Sequence, residues 1–167
     1  MSKQVVLDSS IFVEAWTLQK YEEFCSEMIR KYMNNKNETC YIPIIIPGET
    51  IMAILENIKD KERITQILRE YKNSFLSDNI VFLNINKEVL EIKSRLDYIW
   101  GIDDHDKIII ACAIANNCTE IITLDVHMYN QRSEINRLSR ELKGHEINII
   151  IPKKFERGIL DRIKRFE

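Results

Sequence analysis

The chain has 167 residues, of which 45% are hydrophobic and 30% charged, as in an ordinary soluble globular domain. This length suits one domain with a single substantial core. The N-terminal apolar run, Val5–Leu7, is too short for a signal-peptide core or a membrane span. We therefore expect a cytoplasmic protein that does not interact with membranes.

The small net charge of −2 conceals an asymmetry along the chain. Residues 1–126 contain 14 Lys/Arg against 20 Asp/Glu, whereas residues 127–167 contain 10 against 6. An acidic N-terminal part and a basic C-terminal part would suit a cation site beside a phosphate-binding surface. An unevenly charged, solvated surface would explain the same numbers, so the charge is only supporting evidence.

The four cysteines are Cys25, Cys40, Cys112 and Cys118, with no CxxC pair and no histidine at zinc-ligand spacing. Cys25 and Cys112 fall on apolar helix faces, where cysteine acts as a small hydrophobic residue. This pattern favours buried reduced thiols at these two positions over a metal site or a disulfide. It leaves the roles of Cys40 and Cys118 open.

Strand and helix patterns alternate from the start of the chain. The run Val5–Leu7 predicts a short buried strand that ends at Asp8. Apolar residues at three- and four-residue spacing between Tyr21 and Met33 predict a long helix. The run Tyr41–Ile46 predicts a second strand, in which Pro43 indicates a sheet edge or an irregular start.

Two helices, a strand and a further helix are predicted next. One helix opens at Pro47–Thr50, and a second helical face extends from Ile64 to Phe75. The third strand runs from Ile80 to Ile85. The apolar face Val89–Ile99 predicts another helix, which Gly101 ends.

The last third of the chain continues the alternation. Residues 106–116 predict a helix that is buried nearly all round, followed by a strand at Ile121–Leu124, a helix around Ile135–Leu142 and a fifth strand at Ile147–Ile151. Apolar residues then recur at helical spacing: Phe155, Ile159, Leu160, Ile163 and Phe166.

Apolar strands separated by helices imply a mostly parallel sheet that is covered on both faces. We find no internal repeat and no linker rich in Gly, Pro or Ser. The predicted fold class is therefore α/β, with a single three-layer domain over residues 1–152. Residues 153–167 are predicted to form an amphipathic C-terminal helix that packs on the same domain.

Four carboxylates lie where strands end or helices begin. Asp8 and Asp125 follow the first and fourth strands, Glu49 lies in the first turn of the helix after the second strand, and Asp106 begins the buried helix. Sites in open α/β sheets form at the carboxyl ends of the strands. We therefore expect these four side chains to be neighbours.

Such a cluster would repel itself unless a cation neutralised it. Hard divalent cations such as Mg²⁺ and Mn²⁺ prefer oxygen ligands and promote phosphodiester hydrolysis. Each acid taken alone has an ordinary structural explanation, because Asp after a strand often caps the next helix and acids are favoured in a helix's first turn. The metal hypothesis depends on all four occurring at the same edge.

Four ordered motifs resemble those of the PIN-domain nucleases, which include the toxins of VapBC-type toxin–antitoxin pairs. Val6–Phe12 has the apolar strand, the Asp and a hydroxyl residue two places on. Ile46–Glu49 places a glutamate at the second helix. Asp106–Ala113 has an Asp and an apolar helix with two small residues, and Ile122–Asp125 has the strand, Thr, any residue and Asp.

The resemblance spans residues 4–152 and implies a five-stranded sheet in the order 3-2-1-4-5. It implies a metal-dependent endoribonuclease that acts on RNA, a homodimer and a possible antitoxin partner. Ser10 and Thr123 would support the metal site by hydrogen bonds. The residues that the resemblance assigns to catalysis and to Mg²⁺ or Mn²⁺ are Asp8, Glu49, Asp106 and Asp125.

The chain departs from the compact toxin pattern at two places, the longer segment 127–144 and the added C-terminal helix. Asp103 and Asp104 also crowd the third motif, so that one of them could share metal binding with Asp106. The spacing of the small residues downstream favours Asp106.

Two other functions fit parts of the pattern. An aspartyl-phosphate phosphatase would use Asp8 as nucleophile, but it usually has a second Asp where this chain has Ser10. The other alternative is a catalytically inactive PIN-like RNA-binding or scaffold protein. Retention of all four acids argues against it, because an idle acidic cluster costs stability.

Histidines and tryptophans give weaker signals. His105, His127 and His145 are far apart in sequence and are expected on the surface. Trp16 and Trp100 lie on or beside apolar faces, so that core packing is expected for both rather than base stacking.

Overall fold

The alternating apolar segments form strands and helices in the computed structural model, which describes residues 3–17, 21–35 and 37–153. The strands are β1 (Lys3–Leu7), β2 (Glu38–Pro43), β3 (Ile80–Leu83), β4 (Glu120–Ile122) and β5 (Asn148–Ile150). The helices of this part of the chain are α1 (Ser9–Trp16), α2 (Glu22–Asn34), α3 (Ile45–Asn57), α4 (Lys61–Phe75), α5 (Lys87–Leu96), α6 (Asp104–Ala115), α7 (Val126–Asn130) and α8 (Arg132–Lys143).

The five strands form one sheet in the order β3-β2-β1-β4-β5, and every neighbouring pair is parallel. This confirms the predicted fold class and strand order. β1 is central: Val6 pairs with Tyr41 of β2 on one side and with Ile121 of β4 on the other. The strand order reverses between β1 and β4, which is where open α/β sheets form their binding crevices.

Helices cover the sheet in two groups. Helices α1 to α4 pack on one another, and α5, α6 and α8 form a second packed group. β1 is buried from Val5 to Leu7, and α6 is buried from Ile109 to Ile114, as expected of elements that are apolar all round. Burying one Ile or Leu side chain contributes roughly 1.5–3 kcal/mol. The burial of β1 and α6 therefore fixes the positions of the residues at their ends.

All four cysteines are buried free thiols. Burial raises the pKa of Cys25, Cys40 and Cys118 to about 12 and that of Cys112 to about 11. The prediction for Cys25 and Cys112 is confirmed, and the same description holds for the other two.

Several element boundaries differ from the sequence prediction. The helix predicted between Tyr21 and Met33 corresponds to α2, but a separate helix, α1, precedes it and was not predicted. The second strand ends at Pro43 and α3 already begins at Ile45, so the assignment of Ile44–Ile46 to the strand was wrong. Glu49 consequently lies in the second turn of α3, and Pro47 occupies its first turn, where a missing N–H costs nothing.

The fourth helical region also ends earlier than predicted. α5 stops at Leu96 rather than near Gly101, and a loop follows before α6. The predicted C-terminal helix, 153–167, lies outside the described residues except for Lys153. In the part of the chain that is described, no helix is both long and apolar enough to cross a membrane.

Candidate active site

Asp8 lies at the carboxyl end of β1, beside the end of β4. Its backbone N–H donates to the carbonyl of Ile122 at 3.0 Å, and its side chain is buried. The carboxylate Oδ2 accepts hydrogen bonds from Ser10 Oγ at 2.6 Å and Thr123 Oγ1 at 2.8 Å. Burial raises the pKa of Asp8, and the two hydroxyl hydrogen bonds oppose that rise.

The two hydroxyl groups link the ends of β1 and β4. Ser10 Oγ accepts from the backbone N–H of Leu124 at 3.0 Å, and Thr123 Oγ1 accepts from that of Asp125 at 2.9 Å. A hydroxyl has one proton to donate, and each of these donates it to Asp8. The network therefore fixes Oδ2 of Asp8 and stabilises its ionised form.

The other oxygen of this carboxylate, Asp8 Oδ1, is buried and has no hydrogen-bond partner among the described residues. A buried acceptor without a partner is costly and needs an explanation, such as an ion. Glu49 Oε2 is in the same position. Two orphaned carboxylate oxygens thus lie at this end of the sheet.

Asp125 serves two purposes. Its Oδ1 accepts from the backbone N–H groups of His127 at 2.6 Å and Met128 at 3.1 Å, which caps α7. The same side chain lies close enough to Asp106 and Asp8 for its charge to raise the pKa of both. Asp125 therefore caps a helix, as the sequence suggested, and also belongs to the acidic cluster.

Asp106 is buried in the first turn of α6. Its pKa is raised to about 8, first by burial and then by the charges of Asp8, Asp125 and Asp103 and by the hydrogen bond with Asp125. Two carboxyl groups can share a hydrogen bond only if one of them holds a proton. Without a cation, Asp106 is therefore the acid of the cluster that tends to keep its proton.

The neighbouring aspartates have other partners. Asp103 caps α6, because its Oδ1 accepts from the backbone N–H of Asp106 at 2.8 Å. The carboxylate of Asp104 is exposed and pairs with Lys93 Nζ at 3.1 Å and Lys107 Nζ at 3.8 Å. Of these three acids, only Asp106 is buried within the cluster, which supports its choice over Asp104.

Glu49 connects the cluster to α3. Burial raises the pKa of Glu49 and so does the charge of Asp8, while a hydrogen bond from Ser9 and the proximity of His105 lower it. Its Oε1 lies 2.7 Å from His105 Nδ1. His105 was predicted to be an isolated surface histidine; its ring is exposed, but it is paired with Glu49, a predicted site residue.

The donor set fits a hard divalent cation in chemistry, since it consists of carboxylate oxygens, two of them orphaned. Within the described ranges, however, no three or more His, Cys, Asp or Glu side chains are arranged as a ready-made metal site. Carboxylates this close together repel one another unless a cation neutralises them. The four acids would hold a cation only after side-chain adjustment.

Comparison with known families agrees with this architecture. The family model described as the PIN domain matches residues 5–133. The chain belongs to the PIN-domain family. PIN domains are generally nucleases. No curated protein sequence matches the chain.

Two solved structures share the fold of this PIN domain. VapBC2 from Rickettsia felis, bound to a DNA fragment from its promoter, is 15% identical with a TM-score of 0.61, and the match covers 90% of this chain and 99% of that one. FitAB bound to the IR36 DNA fragment is 11% identical with a TM-score of 0.57, covering 89% and 94%.

The sequence prediction was right for one of the two tryptophans of this PIN domain and wrong for the other. Trp16 is 3% exposed and packs against Phe12, Tyr71 and Phe75, as predicted. Trp100 is 88% exposed, although core packing was expected. Its neighbours Ile99 and Ile102 supply the apolar signal, and the sequence offers no direct sign that Trp100 points outward.

Proposed function

We propose that this PIN domain is an endoribonuclease that hydrolyses RNA phosphodiester bonds with Mg²⁺ or Mn²⁺ held by Asp8, Glu49, Asp106 and Asp125. The observation that carries the proposal is the environment of Asp8. One of its oxygens is fixed by two hydroxyls, while the other is buried without a partner among the described residues. A carboxylate held in this way is prepared for a cation.

A bound divalent cation supplies two things to phosphodiester hydrolysis, a lowered pKa of water and neutralisation of charge on the phosphate. The chain's own residues supply the position. Ser10 and Thr123 orient Asp8, and the cap that Asp125 makes on α7 limits its rotation. The choice of RNA over DNA is supported by the resemblance of the four motifs to PIN-domain ribonucleases.

The decisive test compares Asp8→Asn with Asp104→Asn. Asn keeps the size of Asp8 and removes one charge, so we expect RNA binding to persist while metal-dependent cleavage falls by at least about 100-fold, the scale of losing one preorganised electrostatic group. Asp104 pairs with lysines in solvent, so its variant should retain most activity. Cleavage and binding of the same RNAs are measured separately.

Glu49→Gln, Asp106→Asn and Asp125→Asn should behave like the Asp8 variant. Equal cleavage by the wild type and all four variants would rule out the carboxylate mechanism. A larger loss in Asp104→Asn than in Asp106→Asn would move the third ligand to Asp104.

The alternative is an inactive RNA-binding or scaffold protein. One observation favours it, namely that the acids of the described residues are not arranged as a ready-made metal site. Wild-type protein that binds RNA but cleaves none with either Mg²⁺ or Mn²⁺ would establish this alternative.

An antitoxin partner and a homodimer are further parts of the proposal. The fold is shared with VapBC2 and FitAB, each solved on a DNA fragment. A short adjacent gene for a DNA-binding protein, whose product suppresses RNA cleavage by this chain, would support the toxin role. Absence of suppression by that product would argue against it.

A further inference from the structure

Two aromatic side chains on the loop between α5 and α6 point into solvent. Tyr98 is 81% exposed and Trp100 is 88% exposed, while Ile99 and Ile102 beside them are buried. Gly101 has φ +82°, a left-handed conformation that favours glycine and turns the chain after Trp100. The two isoleucines anchor the loop and the two aromatic rings face outward.

The loop is held in place by ion pairs at its base. Lys93 Nζ lies 2.9 Å from Asp97 and 3.1 Å from Asp104, the residues that precede and follow the loop. Lys107 Nζ lies 3.4 Å from the same Asp97 oxygen. Surface ion pairs contribute little singly, but a network that joins both ends of a loop limits its motion. The aromatic rings are therefore presented on a fixed base.

An open cleft of about 700 Å³ separates these rings from α8. Arg95 lies on the loop side, and Arg137 on α8 is paired with both Glu134 and Glu141 at 2.8 Å. Arg95 has no ion-pair partner among the described residues, so its guanidinium is available to a ligand. The charges of the two arginines and two glutamates cancel. We therefore expect the cleft to recognise a ligand by stacking on its aromatic rings rather than by net charge.

Two chain segments of six residues each connect the cleft to the acidic cluster. Trp100 precedes Asp106 by six residues, and Gln131 follows Asp125 by six residues. Six residues span at most about 20 Å. A Cβ on Gly101 would lie 3.6 Å from Gln131 Nε2, so the loop and the start of α8 meet directly. An RNA strand several nucleotides long reaches from one place to the other.

Proteins that bind single-stranded nucleic acids stack the bases on exposed aromatic rings and on arginine side chains, since every base has a π-face. We propose that the cleft between the Tyr98–Trp100 loop and α8 binds an unstacked nucleobase of a single-stranded RNA whose backbone passes the acidic cluster. The inference rests on the proposed function in that the ligand is its RNA substrate. It adds where a base of that substrate binds.

Binding is measured on the full chain in EDTA, so that no cleavage occurs, with a short fluorescein-labelled single-stranded RNA. Trp100→Ala should weaken binding about tenfold, the scale of one base–aromatic stack, while Trp100→Phe should keep most of the affinity. Leu76→Ala is the matched control, because Leu76 is 68% exposed at the end of α4, in the other helical group.

Two further readouts distinguish stacking from other roles. An RNA with abasic nucleotides should bind weakly and equally to wild type and Trp100→Ala. Bound single-stranded RNA should quench the emission of Trp100, since Trp16 is shielded in the core.

The inference is overturned by any of three results: no RNA binding by wild type, unchanged binding by Trp100→Ala, or a Trp100→Ala protein of altered oligomeric mass. The last would identify a subunit interface, where the same residue types are used. RNA binding that depends on Trp100 without any cleavage by wild type would overturn the nuclease and leave the stacking site standing. RNA cleavage by wild type, together with unchanged RNA binding by Trp100→Ala, would overturn the stacking site and leave the nuclease standing.

Discussion

At the residue scale, Asp8 and Asp106 respond differently to the same burial. Asp8 receives hydroxyl protons from Ser10 and Thr123, which offset part of its desolvation. Asp106 faces three other carboxylates and hydrogen-bonds one of them, so its pKa rises to about 8. The hydroxyl groups thus favour the ionised form of Asp8, whereas the surroundings of Asp106 favour a proton that a cation would replace.

The stability of the metal-free protein should therefore fall as pH rises. An Asp106 with a raised folded-state pKa contributes stability that is fully present below about pH 4 and lost as the pH passes about 8. Thermal melts in EDTA between these limits should show a declining Tm for wild type and a flatter profile for Asp106→Asn. A wild-type profile no steeper than that of Asp106→Asn would contradict this assignment of the proton.

Adding Mg²⁺ or Mn²⁺ should raise the Tm of wild type, because the cation binds the folded carboxylates and not the unfolded chain. The shift should be larger at pH 8 than at pH 5, since the cation competes with the proton on Asp106. Asp8→Asn should reduce it. Equal Tm values with and without millimolar metal at both pH values would count against a cation site.

At the element scale, the sequence predicts what burial dictates. β1 and α6 were correctly located because they are apolar all round, and the four acids were predicted to form a cluster because they flank such elements. The boundary between β2 and α3 was misplaced because the run from Ile42 to Ile46 is continuously apolar and has no period. The pair His105–Glu49 and the exposed Trp100 depend on side-chain direction, which one sequence does not encode locally.

The C-terminal segment 154–167 is expected to complete the cover of the sheet. An apolar groove of about 510 Å³ lies beside α2, lined by Met28, Ile122, Ile150 and Pro152 among others, and the segment begins two residues after Pro152. Truncation after Lys153 should lower the Tm and increase the binding of an apolar dye, because parallel sheets bury both faces.

Paired substitutions in the full-length chain separate packing from charge in this segment. Phe155→Ser with Ile159→Ser should reproduce the effect of truncation, whereas Arg162→Ser with Lys164→Ser should leave the Tm nearly unchanged. A truncated protein that melts like wild type and stays monodisperse would show that the segment is a tail without a packing role.

At the scale of the whole molecule, α3, which lies in the acidic segment 1–126, presents apolar side chains to solvent. Met52 and Leu55 are 57% and 47% exposed and lie three residues apart on one face of the helix, and Ile44 just before α3 is 46% exposed. Single exposed hydrophobic residues are ordinary, but three in one short stretch favour contact with another protein surface. A second copy of the chain is the occupant that the family resemblance implies.

We therefore predict a homodimer with twice the chain mass of 19.8 kDa, and we expect Met52→Glu with Leu55→Glu to convert it to a monomer. A symmetric interface would then bury four carboxylates, two from each copy, without cations to pair with them, at a cost of several kcal/mol. Light scattering across a concentration series measures the mass, and Leu76→Glu, at the end of α4, is the control that should stay dimeric. Because the four acids come from one chain, the monomer should keep its metal-dependent Tm shift even if its RNA cleavage falls. A wild type that is monomeric at every concentration would refute the dimer, and a dimer unaffected by both α3 substitutions would place its interface elsewhere.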